Sequence, residues 1–222
     1  MSGIIGKNVL SKNQNRKALV VVAHCDDAVL WMGGTIHHLR DWEWHIFSMC
    51  DGNDDQRIQS FNKSCEMLRT DKSHALSFQD YQNDGVFSRN NKKDMKIGLT
   101  QLIDKAYDFV FSHNLEKLNE YDHHDNHEEV GFIASEIAEK KSWQLIQFCY
   151  KPLYGASGIA TVANKKRAKY YFQLNYEELK FKLALIDCFP NEMGNLKGLS
   201  YPCPNPEAFE GNSLPIPPFI KA

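Results

Sequence analysis

Two short polar clusters, far apart in the sequence, carry the side chains best suited to chemistry. The first is Ala23-His24-Cys25-Asp26-Asp27 and the second is His123-His124-Asp125-Asn126-His127. The first cluster ends the apolar run Ala18–Ala23, which predicts a β-strand, and a helical pattern follows it. Its polar groups therefore fall on a strand-to-helix turn, where open α/β sheets build their sites. Imidazoles and carboxylates from both clusters can bind a divalent metal and leave a position open for water, as in hydrolytic zinc enzymes.

The order and spacing of these clusters resemble the PIG-L/LmbE family of zinc-dependent N-deacetylases. The motifs that carry the resemblance are His24-Cys25-Asp26-Asp27, Met32-Gly33-Gly34-Thr35, Asp51-Gly52, Ser112-His113-Asn114 and His124-Asp125-Asn126-His127, with Gly131 after them. In that family the first turn usually reads His-Pro-Asp-Asp-Glu and the last reads His-Pro-Asp-His. Here Cys25 and Ala28 replace the proline and glutamate, and Asp125-Asn126 replaces Pro-Asp. The resemblance implies an enzyme that removes the acetyl group from an N-acetylglucosamine unit or a related amino sugar.

His24, Asp27 and His127 are the predicted metal ligands. His24 and Asp27 are three residues apart across a tight turn, so both can face one point above the strand end, and His127 stands at the head of a helix predicted to begin near Glu128. A single histidine near a strand end is more often a hydrogen-bonded structural or surface residue. The two clusters together, in the order of the family, favour a metal site. We expect Zn²⁺, with other divalent metals as alternatives.

Asp26 is the predicted general base. Two adjacent carboxylates on a short turn cannot both point at one metal, so Asp26 is left to take a proton from water, the role that the resemblance gives to this position. The alternative is that the Asp26 side chain caps the following helix by accepting its free N–H groups. Cys25, between the two first-cluster ligands, is interpreted as a small apolar filler with its sulfur turned inward.

Three further residues are candidates for contacts with substrate. The resemblance favours His124 as the donor that stabilises the oxyanion, with the adjacent His123 as the competing candidate. Arg57 resembles an arginine by which family members hold polar groups of the substrate, and its five donors suit sugar hydroxyls. A solvated helix arginine is an equally good interpretation of Arg57, and Asn114 has the same ambiguity.

Alternating strand and helix patterns predict an α/β fold, a Rossmann-like and mostly parallel sheet with helices on both faces, in a single domain over residues 1–222. The predicted strands are Ala18–Ala23, Trp44–Cys50, His74–Phe78, Phe109–Ser112 and Gln144–Tyr150. The predicted helices are Ala28–Arg40, Asp55–Arg69, Met95–Tyr107, Glu128–Lys141 and Tyr176–Cys188. Residues 1–16 are expected to be flexible, and residues 200–222 to form a proline-rich extended tail over the body.

Composition excludes several classes of partner and site. With 26 Lys and Arg against 28 Asp and Glu, the net charge of -2 offers no basic field for nucleic acid or for an anionic membrane. No apolar run is long enough to cross a bilayer, and the six cysteines lack Cys-x-x-Cys spacing. We expect a cytoplasmic protein with a small-molecule substrate, and the sequence leaves a homo-oligomer open.

Two functional alternatives remain at this point. One is a hydrolase of a non-sugar N-acyl metabolite, because the departures at Cys25, Ala28, Asp125 and Asn126 surround the site that selects the substrate. The other is a non-catalytic binding protein that kept the fold and the metal. The presence of all the ligand positions and of Asp26 favours an enzyme over the second alternative.

Overall fold

Strands and helices alternate through the first two thirds of the chain. The computed structural model describes residues 16–80, 92–115, 125–155, 158–190, 205–211 and 220–221. The alternating part consists of β1 (Lys17–Val22), α1 (Asp27–His38), β2 (Glu43–Cys50), α2 (Asp55–Leu68), β3 (Lys72–Phe78), α3 (Lys92–Leu102), β4 (Phe109–Ser112), α4 (Asp125–Lys141) and β5 (Gln144–Phe148). The elements after it are β6 (Tyr150–Gly155), β7 (Gly158–Ala163), β8 (Tyr170–Phe172), α5 (Tyr176–Ile186), β9 (Glu207–Gly211) and β10 (Ile220–Lys221).

The main sheet has eight strands within the described residues, in the order β10-β8-β9-β5-β4-β1-β2-β3. The pairs from β3 through β2, β1 and β4 to β5 are all parallel, whereas β9, β8 and β10 extend the sheet with antiparallel pairs. The predicted mostly parallel, Rossmann-like sheet is confirmed. The strand order reverses between β1 and β4, and ligands of open α/β sheets bind outside the carboxyl ends of strands at such a reversal.

Helices cover both faces of the sheet, so alternate residues of β1 pack in two separate hydrophobic cores. Ala18, Val20 and Val22 pack in a core shared with α1, α2 and α5. Leu19 and Val21 pack in a second core with α3 and α4. Burial on both faces explains why β1 is a continuous apolar run rather than an alternating pattern.

The predicted strands and helices of this part exist, with differences at some positions. Helix α3 ends at Leu102 instead of Tyr107. Ile97 of α3 is 46% exposed, and Leu183 of α5 is 48% exposed, although both are large apolar residues. Both helices are short, and the elements against which they pack decide which apolar side chains are buried. These are α4 and β2 for α3, and α1 and α2 for α5.

The C-terminal region contributes to the main sheet, which the sequence did not predict. Residues 205–211 include β9, which lies between β5 and β8 and pairs Phe209 with Phe148. Ala208 and Phe209 have no exposed surface. Strands β6 and β7 form a separate antiparallel hairpin. The rest of the predicted tail lies outside the described residues, apart from β10.

Helix α1 is broken at Met32, whose φ of -149° and ψ of 17° are not helical. Beyond the break, Glu207 of β9 accepts hydrogen bonds from the backbone N–H groups of Gly34 and Thr35, at 3.0 and 2.7 Å. Lys182 of α5 donates to the same carboxylate at 2.6 Å, and neither side chain has exposed surface. Glu207 therefore caps the second half of α1 from a distant part of the chain.

Two expectations from composition concern the cysteines and the ability of a segment to cross a membrane. Five cysteines lie in the described part of the chain and all are buried free thiols, namely Cys25, Cys50, Cys65, Cys149 and Cys188. Among the helices that the structure describes, none has the length and apolar character needed to cross a membrane. The cytoplasmic location stays a prediction.

Candidate metal centre

Polar residues from four strand ends meet at the carboxyl edge of the sheet. They are the His24–Asp27 turn after β1, Asp51 after β2, Asp80 after β3 and His113 after β4. Helix α4 brings His127 to the same edge, since the helix packs closely against the end of β4 at Gly131. A Cβ on Gly131 would lie 2.6 Å from the carbonyl oxygen of His113. Parallel strands and one close helix contact thus join two clusters that are far apart in the sequence.

The three predicted metal ligands lie together. Nδ1 of His24 is 3.2 Å from Nε2 of His127 and 3.4 Å from Oδ2 of Asp27. Oδ2 of Asp27 is 3.4 Å from Nε2 of His127, and all three residues are buried. Helix α4 starts at Asp125 rather than near Glu128, so His127 lies within its first turn. The atoms therefore form a nearly equilateral triangle of two imidazole nitrogens and one carboxylate oxygen.

This triangle fits a divalent metal. Two histidines and a carboxylate are the ligands of one well-known class of catalytic zinc site, with bonds of about 2.0–2.2 Å. For tetrahedral bonds of that length, neighbouring ligand atoms are separated by about 3.4 Å. The observed separations of 3.2, 3.4 and 3.4 Å match this edge length. Three protein ligands leave the fourth tetrahedral position to water or substrate.

The charges around the triangle suit a cation. Burial opposes ionisation of Asp27, but its interactions with His127 and His113 hold its pKa well below the usual range of a carboxyl group. Burial also disfavours a charged His24, yet its hydrogen bonds with Asp27 and Asp80 outweigh this and raise the pKa of His24 to about 10. Metal binding at His24 therefore competes with a proton and releases it.

Two residues beside the ligands were given no role by sequence reasoning. Nε2 of His113 lies 3.2 Å from Oδ2 of Asp27 and accepts the Ala23 N–H at 2.9 Å, and its ring stacks on that of His127 at 4.0 Å. Oδ2 of Asp80 lies 3.4 Å from Nε2 of His24. Their positions in the sequence could have indicated that both belong to the site, because His113 directly follows β4, the neighbour of β1, and Asp80 follows β3 at the same edge.

Asp26 lies in the turn between His24 and the first residue of α1. Its side chain is only partly buried and makes no hydrogen bond that caps α1. The backbone carbonyl of Asp26 instead accepts from the N–H groups of Val29 and Leu30, both at 3.0 Å. The helix-cap alternative is therefore wrong for this side chain, and the base role stays a prediction.

The Cys25 side chain points into the protein. It is 1% exposed and belongs to the apolar core shared with α1. Burial raises the pKa of the Cys25 thiol. The buried position of Cys25 in the apolar core confirms its interpretation as an apolar filler.

Arg57 lines a cavity of about 470 Å³ beside the metal ligands. The other lining residues are Asp51, Asn53, Asp54, Asp55, Phe78, Gln79 and Asp80. Nη1 of Arg57 donates to Oδ2 of Asp51 at 2.6 Å, and Asp51 adopts a φ of 70°, a conformation that concentrates at functional sites when a non-glycine residue holds it. Asp80 lines the cavity, and its Oδ2 lies 3.4 Å from Nε2 of His24, so one residue of the cavity wall is next to a candidate ligand.

Comparison with models of protein families shows the family to which the chain belongs. The model of the PIG-L family, described as GlcNAc-PI de-N-acetylase, matches residues 19–138, more than half of the sequence. The chain belongs to the PIG-L family. The matched range contains both polar clusters, so His24, Asp27 and His127 all lie within the PIG-L match. No curated protein sequence matches the chain significantly.

Solved structures with the PIG-L fold include enzymes with different reactions. A deacetylase from the biosynthesis pathway of teicoplanin is 12% identical, with a TM-score of 0.63 over 82% of this chain and 87% of its own. N,N'-diacetylchitobiose deacetylase from Pyrococcus horikoshii is 19% identical, with a TM-score of 0.58 over 89% and 84%. GalB, the 4-carboxy-2-hydroxymuconate hydratase from Pseudomonas putida KT2440, is 16% identical, with a TM-score of 0.61 over 90% and 98%. These similarities show the fold, and the reaction has to be argued from the site.

His124 and Asn114, both predicted to contact substrate, differ in whether the structure describes them. His124 and its competitor His123 lie outside the described residues, so the oxyanion role stays a prediction. Asn114 is 5% exposed, and its Nδ2 donates to the carbonyl oxygen of Phe148 at 3.2 Å and lies 3.5 Å from Oε2 of Glu210. These contacts tie β4 to β5 and β9, and a role of Asn114 in substrate binding also stays a prediction.

Proposed function

We propose that this protein is a zinc-dependent N-deacetylase that hydrolyses the amide of an N-acetylglucosamine-type sugar or its conjugate. The observation that carries the proposal is the triangle of His24, Asp27 and His127 with the spacing of tetrahedral zinc ligands, and Asp26 directly precedes Asp27 in the sequence. Membership of the PIG-L family, whose model is described by a de-N-acetylase activity, supports the same reaction.

The site residues divide the chemistry between them. A divalent metal held by His24, Asp27 and His127 would supply Lewis acidity, which polarises a carbonyl and lowers the pKa of water. Asp26 takes the proton of the water whose oxygen attacks the acetyl carbon. His124 donates a hydrogen bond to the carbonyl oxygen as negative charge develops there. The C–N bond then breaks, and Asp26 or His124 returns a proton to the leaving amine, which yields acetate and a primary amine.

The cavity beside the ligands supports a neutral sugar as substrate. Among the residues that the structure describes, its lining carries four carboxylates, those of Asp51, Asp54, Asp55 and Asp80, and a single cation, Arg57, which is paired with Asp51. Carboxylates accept hydrogen bonds from sugar hydroxyls but repel phosphate. We therefore expect neutral N-acetylated sugars to be better substrates than sugars that place a phosphate in this cavity.

The direct test is product formation by zinc-loaded protein. The panel contains N-acetylglucosamine, N,N'-diacetylchitobiose, N-acetylglucosamine 1-phosphate and simple N-acetyl amino acids, and both acetate and the new primary amine are measured. We expect equal amounts of both products from the neutral sugars, with loss of activity after chelation and recovery when zinc is restored. Preference for an N-acetyl amino acid would support the non-sugar alternative. Zinc binding without turnover of any compound would contradict the enzymatic proposal.

Arg57 provides a separate test of the cavity. Arg57→Ala is expected to lower kcat/KM by about 10- to 100-fold, mainly through KM, because charge-assisted hydrogen bonds to substrate contribute about 1.5–3 kcal/mol each. Zinc affinity should not change. Arg40→Ala is the matched control, since Arg40 lines a different cavity with Lys17 and Glu43 at the opposite edge of the sheet. Equal kinetics of both variants would exclude Arg57 from substrate binding.

A further inference from the structure

One contact of the candidate ligand Asp27 comes from a residue with no assigned role. Nε1 of Trp31 donates a hydrogen bond to Oδ1 of Asp27 at 3.1 Å, and Trp31 is 3% exposed. Trp31 stands one helical turn after Asp27 in α1, so the two side chains lie on the same side of the helix. The indole N–H can only donate a hydrogen bond, and in this contact Oδ1 of Asp27 is its acceptor.

The two oxygens of Asp27 face different partners. Oδ2 lies in the ligand triangle and accepts the backbone N–H of His24 at 2.8 Å, whereas Oδ1 receives the indole N–H. A carboxylate free to rotate can offer either oxygen, or both together, to a metal. With Oδ1 held by Trp31, only Oδ2 is presented to the position between His24 and His127.

Trp31 is itself fixed from the C-terminal half of the chain. The hydroxyl of Tyr150 donates to the carbonyl oxygen of Trp31 at 2.6 Å and accepts the N–H of Ala208 at 3.0 Å. The Tyr150 and Trp31 rings pack with centroids 5.0 Å apart. The break of α1 at Met32 makes this possible, because the N–H of Thr35, the usual helical partner of the Trp31 carbonyl, donates to Glu207 instead.

We propose that Trp31 is a positioning residue that fixes Asp27 as a one-oxygen metal ligand through the indole N–H. The proposal rests on the metal site of the proposed function but not on the identity of the substrate. Partners of this kind, which orient a ligand without touching the metal, typically change metal affinity by about 10- to 100-fold when removed.

The test compares two buried tryptophans. Trp31→Phe removes the indole N–H and keeps an aromatic ring, and zinc affinity is measured by competition with a chromogenic chelator. We expect the zinc dissociation constant to rise about 10- to 100-fold. Trp44→Phe is the matched control, because Trp44 has no exposed surface and its Nε1 donates to the carbonyl oxygen of Leu39, outside the site. Its zinc affinity should equal that of the wild type.

Two further measurements separate positioning from a general loss of structure. Cobalt substituted for zinc should show weaker visible absorption in Trp31→Phe than in the wild type, because a freed Asp27 can bind through both oxygens and raise the coordination number. Tyr150→Phe, which leaves the indole in place but removes its support, should show a smaller change of the same sign.

Unchanged cobalt spectra, or equal losses of zinc affinity in Trp31→Phe and Trp44→Phe, would overturn the proposal. A wild-type protein that binds no zinc would overturn it as well. Zinc binding that depends on Trp31 in a protein without deacetylase activity would support it and refute only the proposed reaction.

Discussion

Asp26→Asn is expected to lower kcat by about 10²- to 10⁴-fold, the usual contribution of a general base, with little change in zinc content. Asparagine keeps the size of the side chain but cannot accept a proton at neutral pH. The structure removes the main competing role, since the Asp26 side chain makes no capping bond to α1. The measurement is a progress curve of amine release, together with elemental analysis of the purified variant.

Neighbouring ligands supply the controls for Asp26. Asp27→Asn and His127→Ala should lose zinc as well as activity, because each removes one corner of the ligand triangle. Asp26→Asn should keep zinc and should unfold at the same temperature as the wild type. If Asp26→Asn loses as much zinc as Asp27→Asn, Asp26 is a ligand and the base must be sought elsewhere.

Glu207→Gln is expected to destabilise the protein by about 3–5 kcal/mol, because it leaves the buried ammonium of Lys182 without its counter-charge. The carboxylate of Glu207 also accepts from two backbone N–H groups and the hydroxyl of Thr35. Most domains are stable by only about 5–15 kcal/mol, so the loss is a large fraction of the total. Urea denaturation followed by circular dichroism measures the free energy of unfolding.

Glu210→Gln on the same strand is the control for Glu207. Glu210 is partly exposed and lies 3.8 Å from Arg167, and exposed pairs of this kind contribute about 0–1 kcal/mol. Lys182→Met in the Glu207→Gln background should restore part of the lost stability, since the stranded charge is then removed. Equal effects of Glu207→Gln and Glu210→Gln, or a double variant no more stable than Glu207→Gln, would contradict the assignment of the buried pair.

The metal turn and the C-terminal strand are physically connected. Asp27 is held by Trp31, Trp31 by Tyr150, and Tyr150 by the backbone of Ala208, the residue after Glu207. The break in α1 is satisfied from the same strand by Glu207. Strand β9 therefore supports both the first helix and the candidate ligand Asp27, so a C-terminal segment is linked by hydrogen bonds to a site built from the front of the chain.

Local patterns in the sequence were enough to predict the alternating part of the fold. With the family resemblance, they also indicated three candidate ligands, His24, Asp27 and His127, which the structure brings together. Strand β1 is a run of apolar residues bounded by polar ones, and Asn175 and Glu178 form a capping box at the start of α5. These features depend on residues within one element, where side-chain spacing and backbone hydrogen bonds decide the conformation. The candidate ligands could be found because each cluster combines several side chains able to bind a metal within a few residues.

Contacts between distant residues were decided by the tertiary structure alone. His113 and Asp80 join the site because parallel strands end at one edge, and β9 enters the sheet although its sequence, with a glutamate near each end, lacks a strand pattern. Which apolar residues of α3 and α5 are exposed, and that Trp31 binds Asp27 rather than only filling the core, also depend on neighbours far along the chain. In each case the physical reason is that the contacting residue comes from a distant part of the chain. The free energy of burial, or of the hydrogen bond, is therefore gained only once the chain has folded.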